Sequence, residues 1–216
     1  MSNVFLITRP NYDQGTNYLF LWTKSILGFS KKRGWVVLNL SDKKANRKSF
    51  LSYIKKQNPK FIFFNGHGSA TTINGHNGEM LVETGKDKII LKGKIIYARC
   101  CEAAKVFGRQ CIKEGVLAFI GYKEKYLLGY SKRKVLKPLN DEVAKLFMEP
   151  SNLIALSILK GNSVEHAFIK SQKQMSKNLS FMMSTKATYE QRNAVQYLHS
   201  NKMNQVLLGD FTSKAS

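Results

Sequence analysis

The chain alternates short, nearly uninterrupted apolar runs with longer segments in which apolar side chains recur every three or four residues. Such runs are typical of parallel strands that are covered on both faces, whereas the longer period is typical of amphipathic helices. The runs lie at 3–8, 35–40, 61–64, 94–98 and 115–121. Since crossovers between parallel strands are right-handed, the alternation predicts an α/β fold with a mostly parallel central sheet flanked by helices.

Helices are predicted between and after these strands, with Thr16 or Asn17 capping the first and Asp42 capping the second. The helical patterns cover 18–30, 43–57, 102–114, 139–147, 152–160, 163–177 and 189–201. A polar, glycine-rich stretch at 69–88 leads into a small strand or hairpin arm that is predicted at 88–91. A second short strand is predicted at 206–208, at the edge of the sheet. We interpret residues 1–216 as one domain, with a core sheet in 3–122 and a C-terminal helical part in 138–216.

Composition narrows the class of protein. The 216 residues are 43% hydrophobic, which is enough for one substantial core. The first ten residues lack the features of a signal peptide, and no apolar run approaches the length of a membrane span, so we expect a cytoplasmic protein without membrane contact. Three cysteines argue against a disulfide framework, and no His/Cys cluster has zinc spacing. We therefore expect neither a metal site nor a cofactor.

The charge is strongly positive, at +21 from 35 basic and 14 acidic residues. Such a charge favours nucleic acid or acidic proteins as partners. The lysines are scattered, however, and no recognition helix, zinc finger or RNA-binding sheet motif accompanies them. A basic binding module for nucleic acid or an acidic protein is therefore the alternative function, and the charge alone names no partner.

Reactive side chains follow three of the predicted strands. The first strand ends in Thr8-Arg9, the third in Gly66-His67-Gly68, and the fourth in Cys100-Cys101. Because ligands of open α/β sheets bind at the carboxyl ends of the strands, a histidine and a cysteine there can face one crevice. Glycines beside the histidine allow close backbone approach and an N–H for a developing oxyanion. The arrangement favours covalent acyl transfer by a Cys-His pair.

The adjacent thiols leave the nucleophile open between Cys100 and Cys101, and either could instead be a small buried apolar residue. The predicted helix 102–114 would place its positive end beside the pair, which favours a thiolate. The residue nearer the helix uses this field better, so Cys101 is the preferred nucleophile and Cys100 the alternative.

Three motifs in order resemble the caspase-like cysteine peptidases, which include caspases, gingipains, separases and bacterial CHAT-domain proteases. Residues 61–68 give the apolar strand that ends in His-Gly, and 95–104 resemble the strand that ends in the nucleophile. The sequence Cys101-Glu102-Ala103-Ala104 is similar to the form in CHAT proteins, and 115–121 resemble the family's next strand. The resemblance implies a three-layer caspase-like fold, closest to the CHAT and gingipain-like members.

The resemblance also implies roles for single residues in a cysteine endopeptidase. Cys101 would attack the peptide carbonyl, and His67 would protonate the leaving amine. The backbone N–H groups of Gly68 and Cys101 would form the oxyanion hole. The chain is short for such an enzyme, so substrate-gripping insertions are expected to be missing or to come from a partner, and a catalytically inactive relative is an alternative.

Substrate selection is less defined. In this family the pocket lies beside the end of the first strand and the strand that follows the nucleophile. Arg9 would suit an acidic substrate side chain, Asp13 would suit a basic one, and Tyr122 would form a pocket wall. Arg9 and Asp13 could instead pair with each other, and Asp13 could cap the first helix.

Overall fold

The computed structural model describes residues 3–215, apart from the side chains of Lys88 and Ile89. The strands are β1 Val4–Arg9, β2 Val36–Ser41, β3 Phe61–Asn65, β4 Thr72–Asn74, β5 Met80–Glu83, β6 Ile95–Arg99, β7 Ala118–Tyr122 and β8 Gln205–Gly209. The α-helices are α1 Gln14–Trp22, α2 Lys24–Lys32, α3 Arg47–Gln57, α4 Lys88–Leu91, α5 Phe107–Lys113, α6 Glu142–Leu159, α7 Val164–Met182, α8 Tyr189–Asn193 and α9 Val195–Asn204.

Six strands form the central sheet in the order β2-β1-β3-β6-β7-β8. The first five are mutually parallel, and β8 closes the far edge antiparallel to β7. This confirms the predicted α/β class, the mostly parallel sheet and the C-terminal edge strand. Strands β4 and β5 form a separate antiparallel hairpin in the polar, glycine-rich stretch, for which no strand was predicted.

The sheet is buried on both faces. One face packs against α3 and α5, through Ile62, Phe64, Ile96, Phe50 and Phe107 among others. The other face packs against α2, α6 and α7, and its members include Phe63, Tyr97, Ile26, Ile154 and Val164. Every residue of β3, β6 and β7 is buried, which explains why these strands are continuous apolar runs.

The first predicted helix, 18–30, is in fact two helices that meet at Thr23. The side chain of Arg9 enters at this junction and donates to Thr23 Oγ1 at 2.7 Å and to the Phe20 carbonyl oxygen. Because the Phe20 carbonyl oxygen accepts from Arg9, the regular helical hydrogen bonding is interrupted there and the chain changes direction. The prediction of one continuous helix was therefore wrong.

The opposite error occurs at Pro150, where the sequence predicted an interruption between two helices. Helix α6 runs through Pro150 without ending. A proline cannot donate to the carbonyl four residues earlier, which is that of Leu146. Asn178 of α7 donates its Nδ2 to this oxygen at 2.7 Å, so the lost hydrogen bond is replaced from the neighbouring helix.

Two further predictions were wrong in the middle of the chain. Residues 88–91 form the short helix α4 and not a strand. The helix predicted over 102–114 begins only at Phe107, after a series of turns. The backbone N–H groups of Glu102 and Ala104 donate to the carbonyls of Glu124 and Tyr122, so this segment is bound to the end of β7.

Within residues 3–215, no helix combines the length and the apolar character that a membrane crossing needs.

Candidate active site

The carboxyl ends of β3 and β6 bring the predicted histidine and cysteine to the same edge of the sheet. These strands pair in parallel with Asn65 opposite Arg99, and His67 and Cys101 each lie two residues further on. The residue after His67 packs closely against the cysteines: a Cβ added at Gly68 would lie 3.0 Å from Cys100 Cβ and 3.5 Å from the Cys101 carbonyl oxygen. The turn that carries His67 therefore packs directly against the pair of cysteines.

The two adjacent thiols have different surroundings. Cys100 is 1% exposed within the apolar core, with its Sγ 3.7 Å from the Phe64 carbonyl oxygen. Burial raises the pKa of this thiol far above its ordinary value, so Cys100 would not supply a thiolate. Cys101 is only partly buried. The geometry thus argues against Cys100 as the alternative nucleophile.

Cys101 does not benefit from a helix dipole. Since α5 starts at Phe107, the six residues from 101 onward form turns, and the predicted activation of the thiol by a helix end was wrong. Burial raises the pKa of Cys101, and the Glu102 carboxylate adds to this effect. The Tyr126 backbone and the Lys125 charge oppose it without cancelling it. In this state Cys101 is a thiol, and any thiolate has to come from pairing with a base.

His67 is held by an acidic partner that sequence reasoning did not assign to it. Its Nε2 lies 2.6 Å from Asp13 Oδ2, and the two side chains are 47% and 39% exposed. Asp13 is the N-cap of α1, and its Oδ1 accepts from the Thr16 backbone N–H at 2.7 Å. The carboxylate thus caps the start of α1 and orients the imidazole at the same time. Because it binds Nε2, the other ring nitrogen of His67, Nδ1, is the one that Asp13 does not contact.

The electrostatics of Asp13 agree with this role. Burial alone would raise the pKa of its carboxyl, but hydrogen bonds from Thr16 and His67 and the charge of His67 outweigh it. The pKa therefore falls below the ordinary aspartate value. The predicted capping role is confirmed, and the carboxylate is already used by Thr16 and His67, which argues against a role in binding a basic substrate side chain.

The other two residues predicted to bind substrate lie inside the protein. Arg9 is 3% exposed, and its guanidinium binds Thr23 and Asn39 and stacks on the Phe20 ring at 4.0 Å. Tyr122 is 1% exposed, and its hydroxyl accepts from Gln205 Nε2. Both side chains are used in packing, which argues against an acid-binding Arg9 and against Tyr122 as a pocket wall.

A buried arginine beneath the site was also missed. Arg99 is 0% exposed and donates two hydrogen bonds to Asn65 Oδ1, at 2.8 and 2.6 Å. It also donates to Ser151 Oγ and Asn152 Oδ1 of α6, each at 2.8 Å. All these acceptors are neutral, although a buried charge is costly without strong hydrogen bonds. Arg99 thus ties the strand that carries Cys101 to the strand that carries His67 and to α6.

Two signals in the sequence could have pointed to the contact between Asp13 and His67 and to the structural role of Arg99. Asp13 follows β1 at the same sheet edge as His67, and Arg99 ends an apolar strand where a charge is out of place. Helix α6 supplies Arg99 with its partners from more than 50 positions away, and a sequence pattern does not show such a pairing.

Neither a protein-family model nor a curated protein matches this sequence. Solved structures do match it. The Arg-specific cysteine proteinase gingipain R has a TM-score of 0.60 at 11% identity, over 97% of this chain and 46% of its own. A complex of the pro- and mature domains of RgpB from Porphyromonas gingivalis has a TM-score of 0.62 at 10% identity, over 97% and 47%.

At these identities the likeness concerns the fold. The chain has the α/β architecture of the caspase-like gingipain proteinases, with a mostly parallel sheet between two helical layers. It spans less than half the length of either matching chain.

Proposed function

We propose that this chain is a cysteine endopeptidase that cleaves peptide bonds in a protein or peptide substrate through Cys101 and His67. One observation carries the proposal: an imidazole oriented by a carboxylate at 2.6 Å and a partly exposed thiol each follow the paired strand positions Asn65 and Arg99 by two residues, at the same edge of the sheet. The Cys-Glu-Ala-Ala sequence at 101–104 supports a closer relation to CHAT-domain proteases.

The chemistry begins with proton transfer from Cys101 Sγ to His67 Nδ1, while Asp13 holds Nε2 and stabilises the resulting imidazolium. The thiolate then attacks the carbonyl carbon of the scissile bond. The negative charge that develops on the carbonyl oxygen would be stabilised by the backbone N–H groups of Gly68 and Cys101. The close approach of Gly68 to the backbone of Cys101 supports the assignment of both N–H groups to one oxyanion hole.

The intermediate collapses when His67 gives its proton to the leaving amine, which breaks the C–N bond and leaves a thioester on Cys101. His67 then removes a proton from water, the hydroxide attacks the thioester, and the acid product leaves with the thiol restored. Every step uses groups of this chain and water.

Because its pKa is raised, Cys101 depends on His67 for its activation in this cycle. Without a helix dipole, the free thiol is a weak nucleophile at neutral pH, and transfer of its proton to His67 is the step that creates the reactive state. Activation is therefore expected to depend on His67 more than on the surroundings of the sulfur.

Partners and location stay predictions. The matching complex contains pro- and mature domains, and this supports a protein partner that regulates the site or completes its substrate grip. A cytoplasmic location is likewise a prediction from the sequence.

The test is labelling with an acyloxymethyl ketone, followed by peptide mapping, together with cleavage of a peptide library. We expect labelling at Cys101 and cleavage that is abolished in Cys101→Ala. Cys111→Ala serves as the matched control, because Cys111 is a free cysteine buried in the core, and this variant should keep both activities. Unchanged cleavage in Cys101→Ala would contradict the proposal.

A second candidate function is supported by the charge of +21 and by a basic groove on α7. This groove contains Lys170, Lys173 and Lys177 along one helix face, with Leu153 and Ile169 as its apolar part. A binding module for nucleic acid or an acidic protein would use such a surface without catalysis. Binding of a nucleic acid duplex that weakens steeply with salt and is unchanged by Cys101→Ala, in a chain that cleaves no peptide, would favour this function.

A further inference from the structure

A polar cleft lies beside the candidate active site, on the side of β2. Its volume is about 590 Å³, and it is lined by Asn11, Ser41, Asp42, Lys43, Lys44 and His76. It opens at the carboxyl end of β2, the strand that pairs with β1 at the same sheet edge as His67. The space is larger than a single amino-acid side chain needs.

Tyr12 connects this cleft to the catalytic residues. Its ring lies 6.0 Å from the His67 ring and 5.4 Å from the His76 ring, measured between centroids. An extended peptide advances about 3.3 Å per residue, so the two imidazoles are separated by at most roughly three to four residues of substrate. A peptide that places its scissile bond at Cys101 and runs towards β2 would therefore reach the cleft.

The walls are held in place by one backbone hydrogen bond and one hydrogen bond between side chains. The N–H of His76 donates to the Ala45 carbonyl oxygen at 2.7 Å, which joins the turn after β4 to the loop after β2. The Asn11 side chain accepts from Asn17 Nδ2 of α1 at 3.0 Å. Because both sides are anchored, the cleft exists before a ligand binds, and binding needs little ordering of the protein.

The charge of the cleft favours an anion. Lys43 and Lys44 are exposed, and across residues 3–215 neither ammonium forms an ion pair. Asp42 is the acidic residue of the lining, and its charge acts on the buried guanidinium of Arg9 below it. His76 adds a ring nitrogen, Nδ1, that is buried without a hydrogen-bond partner among the described residues. The cleft thus offers two ammonium groups without an ion-pair partner, and the His76 imidazole forms part of its wall.

We infer that this cleft is a substrate subsite that selects an acidic side chain, two or three residues from the scissile bond. The inference rests on the proposed endopeptidase function and adds the substrate class to it. Glutamate or aspartate would place its carboxylate between Lys43 and Lys44. The apolar body of the side chain would lie against the Tyr12 ring.

The experiment is a peptide library in which glutamate, glutamine and lysine are scanned through each position around one cleavable bond. We expect wild type to prefer glutamate over glutamine by about fivefold in kcat/KM at one position, as partly exposed ion pairs give. In a Lys43→Ala, Lys44→Ala double variant this preference should disappear. In Lys43→Glu, Lys44→Glu the preference should change to lysine.

Lys55→Ala, Lys56→Ala is the matched control, because it removes the same charge from the exposed end of α3. It should leave the glutamate preference intact. Wild-type cleavage without any acidic preference, or a preference that survives loss of Lys43 and Lys44, would overturn the inference and leave the endopeptidase standing. Absence of cleavage of every peptide by wild type would overturn the proposed function and the inference together.

Discussion

The ends of β3 and β6 carry the two halves of the candidate site, and they are built differently. At the end of β3, His67 is exposed and polar, with a carboxylate on Nε2 and the Tyr12 ring beside it. At the end of β6, Cys101 is partly buried, its pKa is raised, and no helix starts behind it. The proposed base is organised in advance, whereas the proposed nucleophile is not. We therefore expect the reactivity of the proposed site to depend mainly on His67 and its contacts.

Removal of the base should have the largest effect. We expect His67→Ala to lower kcat/KM for peptide cleavage by about a thousandfold or more, because proton transfer and charge stabilisation are lost together. The rate of Cys101 alkylation by iodoacetamide at pH 7 should fall at least tenfold in this variant, and should recover only above about pH 8.5.

His199→Ala, which removes an exposed imidazole from α9, is the control and should change neither rate. Alkylation of Cys101 at the wild-type rate in His67→Ala would show that the nucleophile is activated by its own surroundings, and the contrast between the two strand ends would be lost.

The connection between the two ends is tested at Arg99. Replacement by leucine leaves the side-chain oxygens of Asn65 and Asn152 without a donor and removes the nearer of two donors from Ser151 Oγ, so we expect the free energy of unfolding to fall by about 3 kcal/mol. Chemical denaturation measures this change. Arg109→Leu, at an exposed position on α5, should stay within about 0.5 kcal/mol of wild type. Equal effects of the two substitutions would contradict the structural role of Arg99.

The role of Asp13 is separated from its capping function by Asp13→Asn. Asparagine is an equally good N-cap, so stability should change little, but the negative charge on the imidazole is lost. We expect kcat to fall about tenfold to a hundredfold with KM unchanged, less than for a buried triad because both groups are exposed. Steady-state kinetics decide this. Asp210→Asn, at a distant turn, should have no effect on kcat.

The smallest effect concerns pH and stability. The pKa of Asp13 is lowered in the folded state, so its contribution is present above its unfolded value of about 3.9 and is lost as pH falls through the folded value. Since Asp13 is more than a third exposed, we expect at most about 0.5 kcal/mol between pH 5 and pH 2.5. Urea unfolding across that range should show that the free energy of unfolding decreases less with falling pH in Asp13→Asn than in wild type. A slope that the substitution leaves unchanged would count against the ion pair with His67.

Predictions from sequence succeeded where a single physical signal dominates. The strands β3 and β6 were predicted because a strand buried on both faces has to be apolar throughout. The juxtaposition of His67 and Cys101 followed from the rule that parallel strands end at one edge. Predictions failed where a distant side chain changes the local preference, as Arg9 does at Thr23 and Asn178 does at Pro150.

The residues around the site show the same division. Cys100 and Cys101 are adjacent and chemically identical, and only the packing of Cys100 into the core separates them. Arg9 and Tyr122 were reasonable substrate contacts by residue type and position in the sequence, but both side chains are buried in the interior of the protein. Asp13 was weighed as a cap and as a substrate contact, whereas its contact with His67 depends on the three-dimensional approach of two loops.

By itself, then, the sequence determined the class of fold, the strands that carry the candidate chemistry and the pair of residue types at their ends. These properties depend on periodicity and on the direction of neighbouring strands, both of which are local. The tertiary structure alone decided that Asp13 orients His67, that Arg99 joins the two strand ends, and that a cleft with two free lysines lies beside them. These features depend on contacts between residues far apart in the chain, and such contacts form only when the core has packed.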